Sequence, residues 1–302
     1  MKIIIAGGSG FIGSELIQHF KEMNHELLIL TRGKSKNYGN VSFVHWDATT
    51  EGSWMSCIDG ADVLINLTGK SINCRHTESN KLEIINSRVN ATKILNTAIT
   101  KIQNKPKLWI NASGASIYGQ NNQKLYTEDD DVIGNDFSAK VAQLWEESFF
   151  QDEVESVRKV ALRISLVLSK SGGVYPIFRR LTKFGFGGTL GNGNQMFGWI
   201  HIIDLLKIID FVIAKENISG PINCVTNNSP NNKEFMKALR ASLNVPFGIP
   251  QPQLLLKFGG LLIGTEGELI YSGLNAYPKR LIDHGFKFEF ENCQDALNDL
   301  NK

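Results

Sequence analysis

The sequence carries little net charge and no long apolar run. Its 32 Lys and Arg residues nearly balance its 30 Asp and Glu residues, which leaves a formal net charge of +2. A charge this small gives no strong attraction to nucleic acid or to an anionic membrane surface. No apolar run reaches the ~18–20 residues that a membrane-spanning helix needs. We therefore expect neither nucleic acid nor a membrane among the partners.

Cysteine and histidine are also scarce. The 4 cysteines are far apart and form no C-x-x-C pair, which is typical of reduced thiols in the cytosol, so we expect a cytoplasmic location. The 6 histidines show no H-E-x-x-H or similar spacing, so we expect no bound metal. The remaining composition, 42% hydrophobic and 21% charged over 302 residues, is that of an ordinary globular protein with room for two unequal lobes.

The strongest positive signal lies in the first thirteen residues. The apolar run Ile3–Ala6 ends at a glycine cluster, and an amphipathic run follows directly, which predicts a strand, a tight turn and a helix. Gly7 would allow the turn, Gly10 would let a pyrophosphate approach the backbone, and Gly13 would let the helix pack closely. The helix N-terminus would face the phosphates. The segment predicts a dinucleotide cofactor bound by Gly7, Ser9, Gly10, Phe11, Ile12 and Gly13.

Strand and helix signals alternate through the first half of the chain. The predicted strands span 3–6, 26–30, 41–46, 63–67, 108–112 and 160–168, and the predicted helices span 11–23, 81–102 and 137–150. A repeated β-α-β order of this kind predicts an α/β fold, a Rossmann-type doubly wound parallel sheet with helices on both faces.

The alternation breaks after Ser169, where glycine-rich loops begin. A helix over 202–214 and a strand over 221–225 are predicted further on, and a smaller, mainly helical C-terminal lobe after them. We assign residues 1–170 to a dinucleotide-binding Rossmann domain. The segment 199–228 would return to that domain, and the lobe would consist of 171–198 and 229–302.

The end of the second predicted strand carries no Asp or Glu, although a carboxylate there usually binds the adenosine ribose of NAD. Arg32 stands at that place, and a planar guanidinium suits a 2′-phosphate, with Lys34 or Lys36 as helpers. We therefore expect NADP(H) rather than NAD(H), unless Arg32 is only a solvated loop charge. Asp47 is a candidate for an adenine contact or an ordinary turn residue.

A short turn follows the fourth long strand. In this fold, ligands lie at the carboxyl ends of the strands. The backbone of Leu67, Thr68 and Gly69 would then pass under the nicotinamide half of the cofactor, or would form a turn with no further role.

With these parts the chain resembles the extended short-chain dehydrogenase/reductase superfamily. The blocks around Arg75, Ser87-Arg88-Val89 and Trp199-Ile200-His201 narrow the resemblance to its atypical, NAD-dependent epimerase/dehydratase-like branch of epimerase family proteins. Some members of that branch are labelled cell-division inhibitors. The resemblance covers nearly the whole chain and implies NADP binding, a small-molecule substrate and a C-terminal substrate lobe.

The resemblance also bears on the oligomeric state. Superfamily members often form homodimers through two helices, which correspond here to about 81–102 and 137–150. Their apolar residues would suffice for a core face alone or for a core face and an interface together.

The usual catalytic pair of the superfamily, Tyr-x-x-x-Lys on one helix, is missing from the segment 137–150. One alignment makes Lys140 the motif lysine and puts Asp136 at the tyrosine position. Another, counted back from Trp145-Glu146, puts Ser138 and Ala142 at the two positions. The equivalent of the serine that usually precedes the pair is left open, because aligning on Tyr118-Gly119 puts Gly114 at that place, with Ser113 and Ser116 beside it.

Several side chains could substitute for the missing pair. The candidate catalytic residues are Ser113, Tyr118 and Lys140, and the candidate substrate-binding residues are Arg75, Arg88 and His201. Structural roles compete with five of these six: Ser113 could cap a turn, Tyr118 could be a packed aromatic ring, and Lys140 could be an exposed helical lysine. Arg88 could form a salt bridge, and His201 stands just before a helix that Asp204 could cap. We expect an NADPH-dependent oxidoreductase acting on a small carbonyl or nucleotide-sugar-like substrate. The alternative is a non-catalytic NADP(H) sensor that acts through a protein partner.

Overall fold

Parallel strands alternating with helices form the centre of the structure, a computed structural model described here for residues 1–119, 124–131, 133–252 and 273–302. The strands are β1 (Lys2–Ala6), β2 (Glu26–Thr31), β3 (Lys36–Tyr38), β4 (Val41–His45), β5 (Val63–Asn66), β6 (Leu108–Gly114), β7 (Arg158–Ile164), β8 (Leu166–Leu168), β9 (Trp199–His201) and β10 (Gly220–Cys224). The helices are α1 (Phe11–Glu22), α2 (Glu78–Lys101), α3 (Phe137–Phe150), α4 (Tyr175–Leu181), α5 (Ile202–Ala214), α6 (Asn232–Ser242), α7 (Lys279–Asp283) and α8 (Cys293–Asp299).

The main sheet has the strand order β10-β7-β6-β5-β1-β2-β4-β3. All neighbouring strands in it run parallel except β3 and β4, which are antiparallel. The order reverses between β1 and β5, so the chain winds outwards from the centre in both directions. The predicted doubly wound parallel sheet is confirmed.

Alternate side chains of β1 enter two separate cores, as the two-residue period of a strand requires. Ile3 and Ile5 pack in one cluster with residues of α1 and α5. Ile4 and Ala6 pack in another with residues of α2 and α3. Helices therefore cover both faces of the sheet. A third cluster, built from α4, α6, α8 and β9, forms a core in the C-terminal part of the chain.

The single strand predicted over 160–168 is wrong, because the chain changes partner at Ser165. Its N–H donates to Cys224 O in β10, whereas the next N–H, that of Leu166, donates to Gly198 O. The residues after this point form β8, which pairs with β9 in a separate two-stranded sheet. The run of apolar residues continues through the switch, so hydrophobicity alone could not locate it.

Two further differences concern one whole strand and the start of one helix. The edge strand β3 was not predicted, since its three residues are all exposed and carry no apolar alternation. Helix α2 begins at Glu78 rather than near 81, because Thr77 Oγ1 accepts a hydrogen bond from Asn80 N at 3.3 Å and caps the helix.

The segment 199–228 contributes to both sheets. Strand β10 pairs with β7 in the main sheet, and β9 pairs with β8 in the small one. The division of the chain at residues 170 and 198 stays a prediction. Within the described ranges, no helix is both long and apolar enough to cross a bilayer.

Candidate functional site

The glycine turn after β1 depends on close backbone contacts. Gly7 has a φ of 77°, in the left-handed region that glycine tolerates. A Cβ on Gly7 would lie 2.9 Å from the carbonyl carbon of Leu67, so the turn packs directly against the turn that follows β5. A Cβ on Gly13 would lie 2.5 Å from the Cα of Gly8. These two glycines therefore hold the shape of the turn.

Gly10 is different, because its missing side chain faces open space. A Cβ there would meet only Gly7 O, at 3.5 Å. Gly10 is also the N-cap residue of α1, with no side-chain hydrogen bond to cap the helix and no acidic residue in the first turn. The N–H groups of Phe11, Ile12 and Gly13 have no acceptor among the described residues. Together with the helix dipole they suit an anionic group.

Arg32 follows directly after β2, next to the glycine turn in the sheet. It is exposed and makes no hydrogen bond or ion pair with any residue that the structure describes. Its loop is nevertheless fixed, because His45 N donates to Ser35 Oγ at 3.0 Å and His45 Nδ1 lies 3.0 Å from Gly33 O. An available cation on a fixed loop is what the predicted 2′-phosphate contact needs.

The two helper lysines have different surroundings. Lys34 is exposed. Lys36 lies on β3, with its Nζ 4.8 Å from the ring centre of Phe43 and 5.3 Å from that of Tyr38. The aromatic rings thus hold the ammonium group of Lys36 in place.

Asp47, predicted to contact the adenine, caps the turn that follows β4. One of its carboxylate oxygens accepts from the N–H groups of Thr49 and Thr50, both at 2.8 Å, and the other accepts from Thr50 Oγ1. The hydrogen bond from the Thr50 side chain, with those from the backbone, holds the pKa of Asp47 below its ordinary value. The adenine contact stays a prediction.

The turn after β5 rests on a buried amide that the sequence analysis did not single out. Asn66 Oδ1 accepts from Thr68 N at 3.0 Å, and Asn66 Nδ2 donates to Asn111 Oδ1 in β6 at 2.7 Å. Both asparagines are fully buried. In the sequence, the indication of this buried contact is the single amide, Asn66, at the end of the otherwise apolar strand β5. Thr68 Oγ1 is itself buried and has no hydrogen-bond partner among the described residues, which leaves a free polar atom at this edge.

Arg88, a candidate substrate ligand, lies against the same turn. Its Nη1 donates to Lys70 O and to Ile84 O, both at 2.9 Å, and its guanidinium carbon is 4.9 Å from the ring centre of Trp145. Burial lowers its pKa to about 10. No carboxylate of the described residues pairs with Arg88, so the structure does not contain the salt bridge that was the alternative role for this residue. Arg75 is exposed in the loop before α2.

The two candidate hydroxyl groups after β6 belong to a buried polar network. Ser113 Oγ donates to Glu146 Oε1 at 2.6 Å, and Arg163 binds both oxygens of Glu146, at 2.9 and 2.8 Å. Arg163 Nη1 also donates to the Tyr118 hydroxyl at 2.8 Å, and that hydroxyl lies 2.9 Å from Asn223 Oδ1. Burial raises the pKa of Tyr118. Both hydroxyls are thus already engaged.

Helix α3 decides between the two alignments of the missing pair. A Cβ on Gly114 would lie 3.9 Å from the Cβ of Ala142. Ser138, Ala142 and Glu146 are four residues apart and share one face of the helix, and Glu146 contacts the end of β6. Lys140 is exposed and lies on another face. The frame with Ser138 and Ala142 is the one that faces the site, and the catalytic role of Lys140 stays a prediction.

Ser116, which the sequence places beside Gly114, occupies part of the site. A Cβ on Gly114 would lie 2.8 Å from Ser116 Oγ, so this hydroxyl fills the space of the absent side chain. Ser116 Oγ also lies 3.4 Å from Ser138 O, and both residues are half-buried.

His201, the third candidate substrate ligand, is only 1% exposed. Its Nδ1 accepts from Ile203 N at 3.3 Å and caps α5, and its ring packs on Phe290 with centroids 4.1 Å apart. Its Nε2 is 3.9 Å from Asp299 Oδ2. Burial lowers the pKa of His201 to about 4. A substrate contact through this ring would require the packing to open, so that role stays a prediction.

A family model described as the NAD dependent epimerase/dehydratase family matches residues 3–224. The chain belongs to this family. A second model, described as a domain of unknown function, DUF1731, matches residues 251–300. Epimerase family protein YfhF of Bacillus subtilis (strain 168) is 34% identical over 302 residues, covering 99% of this chain and 98% of that protein. Epimerase family protein SDR39U1 of Mus musculus is 30% identical over 304 residues, with 99% of both proteins covered.

Solved structures agree with this epimerase-family assignment. The crystal structure of human epimerase family protein SDR39U1 (isoform2) with NADPH has a TM-score of 0.87 and 28% identity, and covers 100% of this chain and 99% of that one. A nucleoside-diphosphate sugar epimerase from Corynebacterium glutamicum has a TM-score of 0.80 and 27% identity, over 100% of this chain but 58% of that one. The predicted resemblance to the atypical epimerase-like branch is confirmed.

The departure from the usual catalytic pair lies at the end of β6 and on α3. The glycine turn is intact, whereas the positions aligned with the catalytic pair hold Ser138 and Ala142. Within the described ranges, no group of three or more His, Cys, Asp or Glu side chains could hold a metal ion.

Proposed function

We propose that this chain binds NADP(H) at the carboxyl ends of β1, β2 and β5 and acts as an NADPH-dependent oxidoreductase. The observation that carries the proposal is the combination of an α1 N-terminus without a side-chain cap and an exposed Arg32 beside it in the sheet, which no described residue pairs. The first suits a pyrophosphate and the second a 2′-phosphate. The 28% identical human structure that contains NADPH supports the same cofactor.

The residues fit this cofactor in three places. The open side of Gly10 and the N–H groups of the first turn of α1 would hold the pyrophosphate. Arg32 would hold the 2′-phosphate. The turn from Leu67 to Gly69, with the free Thr68 hydroxyl, would lie along the nicotinamide half. When bound, NADPH supplies a hydride to an oxidised carbon.

The substrate side is proposed to accept a small carbonyl or nucleotide-sugar-like compound. A hydride acceptor of this kind needs a proton at its oxygen. Ser113 and Tyr118 would have to exchange a hydrogen bond of the buried network for one to the substrate. Ser116 is less constrained, because among the described residues its hydroxyl makes one long hydrogen bond, to Ser138 O at 3.4 Å. Arg75 is proposed as an anion contact from the loop before α2.

A second candidate function is a non-catalytic NADP(H) sensor that acts through a protein partner. The specific observation in its favour is the chemistry of α3, where Ser138 and Ala142 stand in place of a tyrosine and a lysine. Without that pair, no lysine lowers the pKa of a phenol next to the cofactor. The oxidoreductase and the sensor bind the same cofactor, and the experiment that separates them is a measurement of turnover.

Turnover separates the two candidates. The purified chain, with NADPH bound, is offered a broad panel of carbonyl and enone compounds while the nicotinamide absorbance is followed. Loss of absorbance with any member of the panel supports the oxidoreductase. Tight NADPH binding without oxidation across the panel favours the sensor.

Arg32→Asp tests the cofactor itself. We expect its Kd for NADPH to rise about 10- to 100-fold, the value of a charge-assisted contact, with little change for NADH. Arg180→Asp makes the same charge change at an exposed position of α4 and should leave both affinities unchanged. Equal losses for NADPH and NADH in the Arg32 variant would contradict the 2′-phosphate assignment.

A further inference from the structure

The turn after β5 is fixed by two consecutive residues of α2. Lys70 N donates to Ser87 Oγ at 2.9 Å, and Lys70 O accepts from Arg88 Nη1 at 2.9 Å. The N–H and the C=O of one residue are therefore both bound by neighbouring side chains of the same helix. At the other end of the turn, Thr68 N is bound by Asn66 Oδ1.

The absence of a side chain at Gly69 lets Arg88 reach this position. A Cβ on Gly69 would lie 2.9 Å from Arg88 Cζ and 3.2 Å from its Nε. The guanidinium thus packs closely against the backbone of the turn, and its carbon is 4.9 Å from the ring centre of Trp145. A glycine and an arginine that fit together in this way fix the distance between the turn and α2.

The charge of Arg88 is costly where it lies. A guanidinium removed from water loses hydration free energy that a carboxylate partner normally offsets. Here the described partners are two backbone carbonyls and an aromatic ring, and none of the three carries a full charge. A neutral side chain would fill the same space at lower cost. The arginine is therefore better explained by what it holds than by its own contribution to stability.

We propose that Arg88 is a positioning residue that sets the turn from Leu67 to Lys70 for the nicotinamide half of the cofactor. The inference rests on the proposed NADP(H) binding. Arg88 does not touch the cofactor in this assignment. It acts through the Lys70 carbonyl and the Gly69 backbone, so its removal should affect the nicotinamide half and spare the adenosine half, which α1 and Arg32 hold.

The test compares two ligands. NADPH needs the whole site, whereas adenosine 2′,5′-bisphosphate lacks the nicotinamide half. For Arg88→Met we expect the Kd for NADPH to rise about tenfold, because the turn would have to be ordered when the cofactor binds, and the Kd for the bisphosphate to change less than about twofold. Titrations followed by nicotinamide fluorescence and by calorimetry give the two values.

Arg158→Met is the matched control. Within the described part of the chain, Arg158 also donates only to backbone carbonyls, those of Ile218 at 2.7 Å and Val212 at 3.0 Å. It begins β7 and so lies at the amino ends of the strands, away from the proposed cofactor site. Its loss should change the free energy of unfolding without changing the ratio of the two Kd values. In Arg88→Ala, added methylguanidinium should restore part of the NADPH affinity, which a general loss of folding would not allow.

Three outcomes are distinct. An unchanged Kd ratio in Arg88→Met, or the same change in both variants, overturns the positioning role. Failure of the wild-type protein to bind either ligand overturns the proposed function instead. A selective loss of NADPH affinity with rescue by methylguanidinium supports the inference.

Discussion

Gly10 and Gly13 differ in what surrounds them, although both belong to the same turn. The position of Gly13 is enclosed by the backbone of Gly8, whereas Gly10 has open space where a side chain would be. A glycine that touches its own fold is needed for stability. A glycine that faces open space at an uncapped helix end is available for a ligand. The two positions therefore predict separable effects.

Gly13→Ala should destabilise the fold, because its Cβ would lie 2.5 Å from the Cα of Gly8 and backbone cannot move aside cheaply. We expect a loss of about 2–3 kcal/mol in the free energy of unfolding, as for overpacked cores. Gly10→Ala should cost under about 1 kcal/mol, the difference between glycine and alanine as helix cap. It should nevertheless weaken NADPH binding. Urea unfolding and NADPH titration of both variants check this; a reversed order of stabilities would contradict the assignment.

His201 predicts how stability depends on pH. Its pKa is lowered from 6.5 to about 4 by burial, although Asp299 and Glu289 act to raise it and Lys170 to lower it further. Above pH 6.5 the ring is neutral in both states and contributes no pH dependence. Between pH 6.5 and 4 only the unfolded chain gains the proton, so the fold loses stability there, by about 3 kcal/mol in full at about 1.4 kcal/mol per pKa unit.

His201→Asn isolates this contribution, since asparagine is also a good N-cap and can keep the end of α5. We expect the variant to lose less stability than the wild type between pH 7 and pH 4.5, measured by urea unfolding. Parallel curves for the two proteins would show that another group controls the acid sensitivity.

At the scale of elements, α3 is attached to the sheet by charge as well as by apolar packing. Glu146 of the helix and Arg163 of β7 form a two-point ion pair at 2.8 and 2.9 Å, and both are less than a tenth exposed. Burial alone would lower the pKa of Arg163, but the bonds to Glu146 raise it above its ordinary value. The same pair fixes the side chains of Ser113 and Tyr118.

Glu146→Gln should therefore loosen α3, because it leaves a buried guanidinium without its counter-charge. We expect a loss on the order of 3 kcal/mol in the free energy of unfolding. Glu147→Gln, one residue further on the exposed side of the same helix, should change stability by less than about 0.5 kcal/mol. Urea unfolding at neutral pH compares the two. Similar losses in both variants would mean that the ion pair is not what attaches the helix.

Apolar patterning indicates some elements of this fold and not others. The elements of the parallel sheet were predicted because buried strands are continuous apolar runs and the helices between them are amphipathic. Strand β3 and the break at Ser165 were missed for opposite reasons. The first has no apolar residue facing a core, and the second lies inside a run that is apolar throughout. In both cases the hydrogen-bond partner, not the local composition, defines the element.

At the scale of the whole molecule, the C-terminal part of the chain is tied into the sheet at several points. Glu128 accepts from Asn223 N of β10 at 2.9 Å and from Arg280 N of α7 at 3.3 Å. Asp204 of α5 accepts from Glu289 N at 2.7 Å. The predicted lobe therefore shares hydrogen bonds with the Rossmann part, which favours joint unfolding.

We expect one cooperative unfolding transition, with tryptophan fluorescence and far-UV circular dichroism changing together. NADPH at 100 times its Kd should stabilise the folded state by about 2.7 kcal/mol and shift the entire transition. The measurement is a thermal or urea scan with and without the ligand. Two transitions, of which NADPH moves only one, would instead support independent domains at the predicted boundaries.

Local sequence patterns were enough to indicate the family and the doubly wound sheet, because glycine spacing and apolar runs are local properties. They also determined that the catalytic pair is missing. The packing of the folded chain was needed to show which alignment of α3 faces the site, and that Ser113, Tyr118, Arg88 and His201 have partners inside the protein. Those partners are distant in the chain, as Ser113 and Glu146 are, and no local pattern records a hydrogen bond between two elements that meet only when the sheet has formed.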